Sequence, residues 1–325
     1  MATILTICEV RQGALHPQSL ETVAAGQQLA AALGAELTVA LPGNGVDGPA
    51  GELAAAKCSR LVTVTHEALE PYTPDGFTMA LDALVKEIKP DYVLLPHTYQ
   101  VRDFAPKLSA RSGRGMIADC VGMSVDGGKP TFMRQMFQGK TQADVVPEGD
   151  GPHFVSFQAG AYRADAVEQG DVPAAIENVA AQVDPSAIRS KPEEPFREGK
   201  QAVDLSKAEI VVAVGRGIKS AEALDQMEKL AQALGGEVAA SRPVCDEGWL
   251  PMERQIGSSG QTVAPKLYIA LGISGAIQHV VGMKGANTIV AVNKDKNAPI
   301  FEIADYGIVG DLFEVVPAML ATLEG

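Results

Sequence analysis

Apolar residues arrive along this chain in two alternating rhythms. Short β-like, mostly apolar runs at residues 4–8, 37–41, 61–64 and 92–95 read as buried strands. Between them, residues 19–33, 51–57 and 78–88 carry apolar side chains at helical spacing. Strand, helix, strand at this pace predicts right-handed crossovers and a parallel sheet. Residues 115–165 change character. A turn at Ser124-Val125-Asp126-Gly127-Gly128-Lys129 lies between β-like runs at 115–125 and 131–137, with another run at 153–158. The expectation is an antiparallel addition to the same sheet.

From Asp184 to Asp204 the pattern lapses into prolines (Pro185, Pro192, Pro195) crowded by Lys191, Glu193, Glu194, Arg197, Glu198 and Lys200. Proline removes backbone donors and charge resists burial, so an exposed linker over 191–206 is expected between domains 1–190 and 207–325. The rhythm then resumes. Residues 209–214 read as a strand, 221–234 as a helix ended by Gly235-Gly236, and 237–240, 267–271 and 288–292 as further strands. Residues 309–323 read as a closing apolar helix. The fold class is therefore α/β in two domains, both built on nucleotide-binding-like parallel sheets, the second doubly wound.

Composition narrows the function classes. Of 325 residues, 46% are hydrophobic and 21% charged, the balance of a folded chain. The net charge is −13, and both halves are acidic: 17 basic against 26 acidic residues over 1–206, and 10 against 14 over 207–325. That balance argues against phosphate-neutralising nucleic-acid binding and against a polybasic membrane contact. No apolar stretch approaches the length that spans a bilayer, and the opening nine residues lack a basic, signal-like segment, so a cytoplasmic protein without membrane insertion is expected. Cys8, Cys58, Cys120 and Cys245 are far apart, and the five histidines are scattered, so no metal site is expected.

Four segments could carry chemistry. Gly215-Arg216-Gly217-Ile218-Lys219-Ser220 joins a strand to a helix, where glycines let a phosphate approach backbone N–H groups. Ser220 stands where a dinucleotide fingerprint has its third glycine, and Ser241-Arg242 ends the next strand instead of an acidic residue. A tight turn alone accounts for it equally well. The run Leu267 to His279 is stronger: an apolar strand ends at Gly272, Ser274 can cap a helix, and Gly275 and Ala276 leave room near its first turn. His279 lies a turn further along and can face the same crevice, although a lone histidine on an apolar helix is more often structural. Gln255-Ile256-Gly257-Ser258-Ser259-Gly260-Gln261-Thr262 is a donor-rich loop that could equally be a plain turn. Asn293 ends a strand, and Asp305 to Asp311 precede the last helix; these either cap and turn or bind a nucleoside. For His97, Arg102 and Asp103, a helix cap and a solvated ion pair are the preferred account.

Together these residues resemble the alpha subunit of electron transfer flavoprotein, the FixB family. The resemblance is carried by Leu267-Tyr268-Ile269-Ala270, Gly275-Ala276-Ile277-Gln278-His279, Gly282, Ile289-Val290-Ala291-Val292-Asn293, Ala298-Pro299-Ile300-Phe301, Ala304-Asp305-Tyr306-Gly307-Ile308-Val309 and Asp311-Leu312-Phe313. Gly215-Arg216-Gly217 and Ala240-Ser241-Arg242-Pro243 also fall where that family has them. It is dense over 208–320 and one of length and layout over 1–200. The resemblance implies a heterodimer with a beta subunit, which the N-terminal domain contacts, and one FAD in the C-terminal domain. It implies phosphates near Arg216 and the turn Ser274, Gly275, Ala276, Ile277, Gln278 and His279. Ser241, Arg242, Ile256, Gly257, Ser258 and Ser259 would surround the ribityl chain and isoalloxazine, and Asn293, Asp311 and Leu312 the adenosine end. Many relatives have Thr where this chain has Ser259, so the hydroxyl is kept and a methyl lost. Arg242, Ser259 and His279 are the expected redox-tuning residues, the two basic side chains favouring added electron density on the ring.

The activity so implied is electron shuttling from dehydrogenases, of acyl-CoA type in fatty acid β-oxidation, to a quinone oxidoreductase. It needs no catalytic acid or base and no organic substrate of its own. One alternative is an electron-bifurcating flavoprotein using NADH, with a second FAD in the beta subunit. Another is an NADP-binding oxidoreductase, because Gly215-x-Gly217 with Arg242 after the next strand mimics a 2′-phosphate site. A colourless interaction scaffold is the third.

Overall fold

A computed structural model of the chain describes residues 2–137, 139–193 and 205–323. Two compact units form, one of Met1–Met136 and Gln142–Pro195, the other of Phe137–Thr141 and Phe196–Gly325. Most of the expected linker over 191–206 lies outside the described residues.

The first unit is built on strands β1 (Thr3–Ile7), β2 (Glu36–Gly43), β3 (Arg60–Thr65), β4 (Tyr92–Pro96), β5 (Met116–Asp126), β6 (Lys129–Met136), β7 (Thr141–Val145), β8 (His153–Phe157) and β9 (Ile176–Ala180). They lie in the order β9-β3-β2-β1-β4-β8-β5-β6-β7. Helices α1 (Pro17–Leu33), α2 (Asp47–Leu53), α3 (Pro74–Ile88) and α4 (Tyr99–Arg111) cover both faces. Alternation along β1 shows why. Ile4 packs with Val23 and Leu29 of α1, while Leu5 and Ile7 pack with Leu81 and Leu84 of α3 and Phe104 of α4.

Three sequence expectations change here. The 115–165 segment is antiparallel only in part: β6 pairs antiparallel with β5, whereas β8 runs parallel to both β4 and β5. The glycine turn does make a hairpin, but the chain then returns to insert β8 between β4 and β5, which no local signal encodes. The strand β9, unanticipated, pairs in parallel with the edge strand β3; its side chains are mostly exposed, so it lacks an apolar signature. The proline-rich stretch just ahead of the expected linker is tied down. Arg189 donates from its backbone N and its guanidinium to the carboxylate of Asp75, which is buried.

The second unit is a five-stranded, all-parallel sheet of β10 (Ile210–Val214), β11 (Glu237–Ala240), β12 (Leu267–Leu271), β13 (Thr288–Asn293) and β14 (Tyr306–Val309). The order is β11-β10-β12-β13-β14, so the chain reverses its direction of build between β10 and β12. Helices α5 (Leu224–Leu234) and α8 (Leu312–Leu323) pack on one face through Met227, Leu230 and Val316 against Val212, Val214 and Leu271. The other face buries Val211, Ala213 and Tyr268 under Ile256, Met283 and Ile300. The short helices α6 (Arg242–Asp246) and α7 (Ile277–Val280) follow β11 and β12. The closing helix does not begin at Val309: residues 306–309 form the exposed edge strand β14, and α8 starts at Leu312. Likewise α5 starts at Leu224, after a 3-10 turn at Ala221–Ala223.

Candidate functional site

In an open parallel sheet the carboxyl ends of strands on either side of a build reversal leave a crevice that no crossover covers. The second unit has one between β10 and β12, and a cavity of about 760 Å³ opens there. Each wall is a segment that leaves a strand. Arg216 and Gly217 follow β10; Ser241, Arg242 and Pro243 follow β11; Gly272, Ile273, Ser274, Ala276, Gln278 and His279 follow β12; Asn293 ends β13. The Gln255–Ser259 loop closes the remaining side.

The floor is backbone against backbone. A Cβ on Gly217 would stand 2.7 Å from Gly272 Cα, and one on Gly272, whose φ is +63°, would stand 2.8 Å from Gly217 Cα. Gly217 N donates to Gly272 O at 3.2 Å, so the two strand exits touch without side chains between them. The loop wall is stitched to α7 in the same way. Ser258 N donates to Gln278 O at 2.7 Å, and a Cβ on Gly282 would lie 2.4 Å from Gly257 N.

Donors dominate the lining. The amides of residues 274–277 have no backbone acceptor among the described residues, and His279 N donates to Ala276 O at 2.8 Å. Asn293 is held at both ends, donating from Nδ2 to Ile273 O at 2.8 Å and accepting from Asp295 N at 3.0 Å. Arg242 opens α6, 67% exposed, with Nε 3.4 Å from Asp246 one turn on. Two buried polar atoms of the lining are orphans: Oε1 of Gln255, whose Nε2 donates to Ser259 Oγ at 2.9 Å, and Nδ1 of His279. Burial pushes His279 down to about 4, against a smaller upward pull from the Ile256 backbone, so its ring is neutral.

Most of the residues singled out from sequence meet in this cavity: Arg216, Ser241, Arg242, Ile256, Gly257, Ser258, Ser259, Ser274, Ala276, Gln278, His279 and Asn293. Four lie elsewhere. Gly275, at φ +85°, packs on the Pro299–Ile300 backbone, and Ile277 is exposed. Asp311 accepts from Phe313 N at 3.1 Å at the start of α8 and pairs with Lys294 at 2.7 Å, which holds its carboxyl below the usual range. Leu312 is buried in the core beneath Gly272. Sequence reasoning did not place Gly217, Pro243, Gln255, Gly272 or Ile273 in the site; Gly217 and Gly272 stood in the motifs, and close backbone approach was the signal available. His97, Arg102 and Asp103 are structural: Thr98 caps α4, His97 bonds Ser156 Oγ at 2.9 Å, and Asp103 accepts from Tyr72 rather than pairing with Arg102. Among the described residues no three His, Cys, Asp or Glu side chains cluster as metal ligands, and no helix is long and apolar enough to cross a membrane.

Comparison with known proteins gives this architecture a family. The model described as "Electron transfer flavoprotein domain" matches residues 4–184, and "Electron transfer flavoprotein FAD-binding domain" matches 204–284. Electron transfer flavoprotein subunit alpha of Bacillus subtilis (strain 168) is 38% identical over 316 residues, covering 97% of this chain and 95% of that one. The chain belongs to the electron transfer flavoprotein alpha-subunit family. Two other relatives show the breadth of that family. Protein FixB of Clostridium saccharobutylicum is 36% identical, with 98% of this chain and 95% of its own covered. Lactate dehydrogenase (NAD(+),ferredoxin) subunit LctC of Acetobacterium woodii is 35% identical, with 97% and 75% covered. The family's cofactor is FAD and its role is electron transfer. The cavity suits that group: a glycine floor admits a pyrophosphate, amides and Arg216 supply its donors, and the orphaned Gln255 Oε1 and His279 Nδ1 await polar partners.

Proposed function

We propose that the C-terminal cavity holds the FAD of a heterodimeric electron carrier, with Arg216 and the 274–277 amides at its phosphates. Ser241, Arg242 and the Ile256–Ser259 loop face the isoalloxazine and ribityl chain, and Asn293 the adenosine end. FAD, when bound, accepts and releases electrons singly or in pairs. The chain's residues position it, keep water from its inner edge through buried Ile256 and Ile273, and set its electrostatics through Arg242 and the N–H donors of the wall. Asp311 and Leu312 act one step back in this reading, by fixing the start of α8 under Gly272. The cavity at the sheet's reversal point is the observation that carries the proposal.

The electron donors we propose are acyl-CoA-type dehydrogenases of β-oxidation in the cytoplasm, and the acceptor a quinone oxidoreductase. A second reading is electron bifurcation with NADH, favoured by the relative named for an NAD(+),ferredoxin lactate dehydrogenase. Flavin quantitation on the complex co-purified with its beta subunit tests both. One FAD per heterodimer supports the carrier, two support bifurcation, and a colourless complex supplied with excess FAD ends both.

A further inference from the structure

The histidine in the cavity wall has one ring nitrogen in a side-chain hydrogen bond and one without, and its ring also feels the Ile256 backbone. His279 is 6% exposed, and its Nδ1 makes no hydrogen bond among the described residues. Its Nε2 lies 2.8 Å from the hydroxyl of Tyr268, a fully buried side chain of the central strand β12. The ring centroids stand 6.2 Å apart, inclined by 58°. No other partner of the Tyr268 hydroxyl exists among the described residues.

Counting protons decides how the pair is wired. Burial holds the Tyr268 phenol well above its ordinary range, so it keeps its hydrogen, and holds His279 neutral with one N–H. If that N–H were on Nε2, it would donate to the phenol oxygen. The phenol hydrogen would then have no acceptor in an apolar core, and Nδ1 would be a bare lone pair. If the phenol donates to Nε2, both atoms are satisfied and the ring proton must sit on Nδ1. An unmet buried donor is the costlier state, so the second wiring prevails.

We propose that Tyr268 is a positioning residue that locks His279 as its Nδ1–H tautomer, so that the cavity wall presents a neutral N–H donor rather than a lone pair or a cation. The identity of the acceptor rests on the FAD reading, in which it is a ring carbonyl; the tautomer rests only on the two side chains. The pyrimidine edge of a flavin alternates carbonyl acceptors with an N–H donor. A fixed donor accepts only the register that brings a carbonyl to it, so the lock selects ring orientation.

The test uses the full chain assembled with its beta subunit and labelled with 15N-histidine, with His279→Gln assigning the resonance. At neutral pH, long-range 1H–15N spectra are expected to show a protonated Nδ1 and an unprotonated Nε2. Tyr268→Phe keeps the ring packing and removes the donor. It is expected to bring in the Nε2–H form and to lower the first one-electron equilibrium of bound FAD about threefold, ~28 mV. An Nε2–H ring in the wild-type complex overturns the proposal. So does a Tyr268→Phe complex unchanged in both tautomer and potential, which reduces Tyr268 to packing. Should that variant lose its flavin, the wild-type spectrum alone decides. A colourless wild-type complex overturns the FAD reading instead, and the same sample still reports the tautomer.

Discussion

Two sheets in one chain, one mixed and one all-parallel, carry the same topological opening and treat it oppositely. In the N-terminal unit the run β3-β2-β1-β4 reverses between β1 and β4, and in the C-terminal unit the reversal lies between β10 and β12. At the second, glycines leave the strands and a cavity of about 760 Å³ remains. At the first, Glu9 follows β1 and Thr98 follows β4, and the threonine hydroxyl donates to the Glu9 carboxylate across the gap. Arg11 adds a bond to the same carboxylate at 2.9 Å, and Ser19 Oγ receives Glu9 N at 2.8 Å. The opening is filled by the chain's own acid, which is 2% exposed. Topology offers a crevice; the two residues after each strand decide whether it is a site or a keystone.

The contrast breaks first at its floor. Gly272→Val forces a β-branched residue into φ +63° and drives its Cβ toward Gly217 Cα. Flavin content of the purified complex is expected to fall more than tenfold, with stability lower by about 2–4 kcal/mol. Full flavin occupancy in a folded Gly272→Val complex would show that close backbone approach is not what the site uses.

The matching change in the other unit is Glu9→Ala. It strips the partners of Thr98 and Arg11 inside a buried cluster, and should lower stability by about 2–4 kcal/mol in denaturant titrations. Flavin per folded complex should stay at the wild-type level. A Glu9→Ala complex that loses flavin while remaining folded would mean the two openings are not independent in function.

How far these differences were legible in sequence follows from their physics. Both sheets announced themselves, because strands buried on two faces need continuous apolar runs and their crossovers need helical spacing. The β12–α7 segment was readable for the same reason: an apolar strand ending at Gly272, then Ser274 and Gly275, is a local signal. The N-terminal keystone was not, since Glu9 and Thr98 meet only after β1 and β4 pair, 89 positions apart in the chain. Strand β9 and the insertion of β8 were hidden likewise, one by its polar face and the other by a pairing set at long range. Asp311 and Leu312 stand out by resemblance; locally one caps α8 and the other packs in the core.

Acid should separate the units by the sign of its effect. His279, pushed down to about 4 in the folded chain, contributes stability that is complete above the unfolded value near 6.5. That contribution is lost as pH falls toward and through 4, and amounts to about 3 kcal/mol. Glu21 in α1 accepts from Gly160 N at 2.7 Å, yet burial pushes it up to about 7. Its favourable contribution is complete below the unfolded value of about 4.5 and is lost as pH rises through 7. Stability of the full chain, followed from pH 4 to 8, should therefore rise less steeply in His279→Gln than in wild type. Glu21→Gln should become more stabilising toward pH 8, by roughly 1–2 kcal/mol once its partial exposure is discounted. Parallel curves for wild type and both variants would remove the distinction.

The finest probe concerns the rim of the cavity, where Arg242 leans on Asp246 at 3.4 Å with both side chains more than half exposed. As a structural bond this i,i+4 pair is worth no more than about 0.5 kcal/mol, so Asp246→Asn should leave unfolding unchanged. Its influence on charge in the cavity is a separate quantity. Removing the carboxylate leaves Arg242 unopposed beside the proposed ring position, and the first reduction potential of bound FAD should rise about twofold in equilibrium terms, ~18 mV. Arg242→Ala should move it the other way and further. The N-terminal unit supplies the control: Arg163 and Asp165 form a pair at 2.6 Å with similar exposure, and Asp165→Asn should leave the potential where it was. Equal shifts from Asp246→Asn and Asp165→Asn would reveal only the chain's overall charge. A shift confined to Asp246→Asn would place the flavin's electrostatics in the wall that Arg242 helps to build.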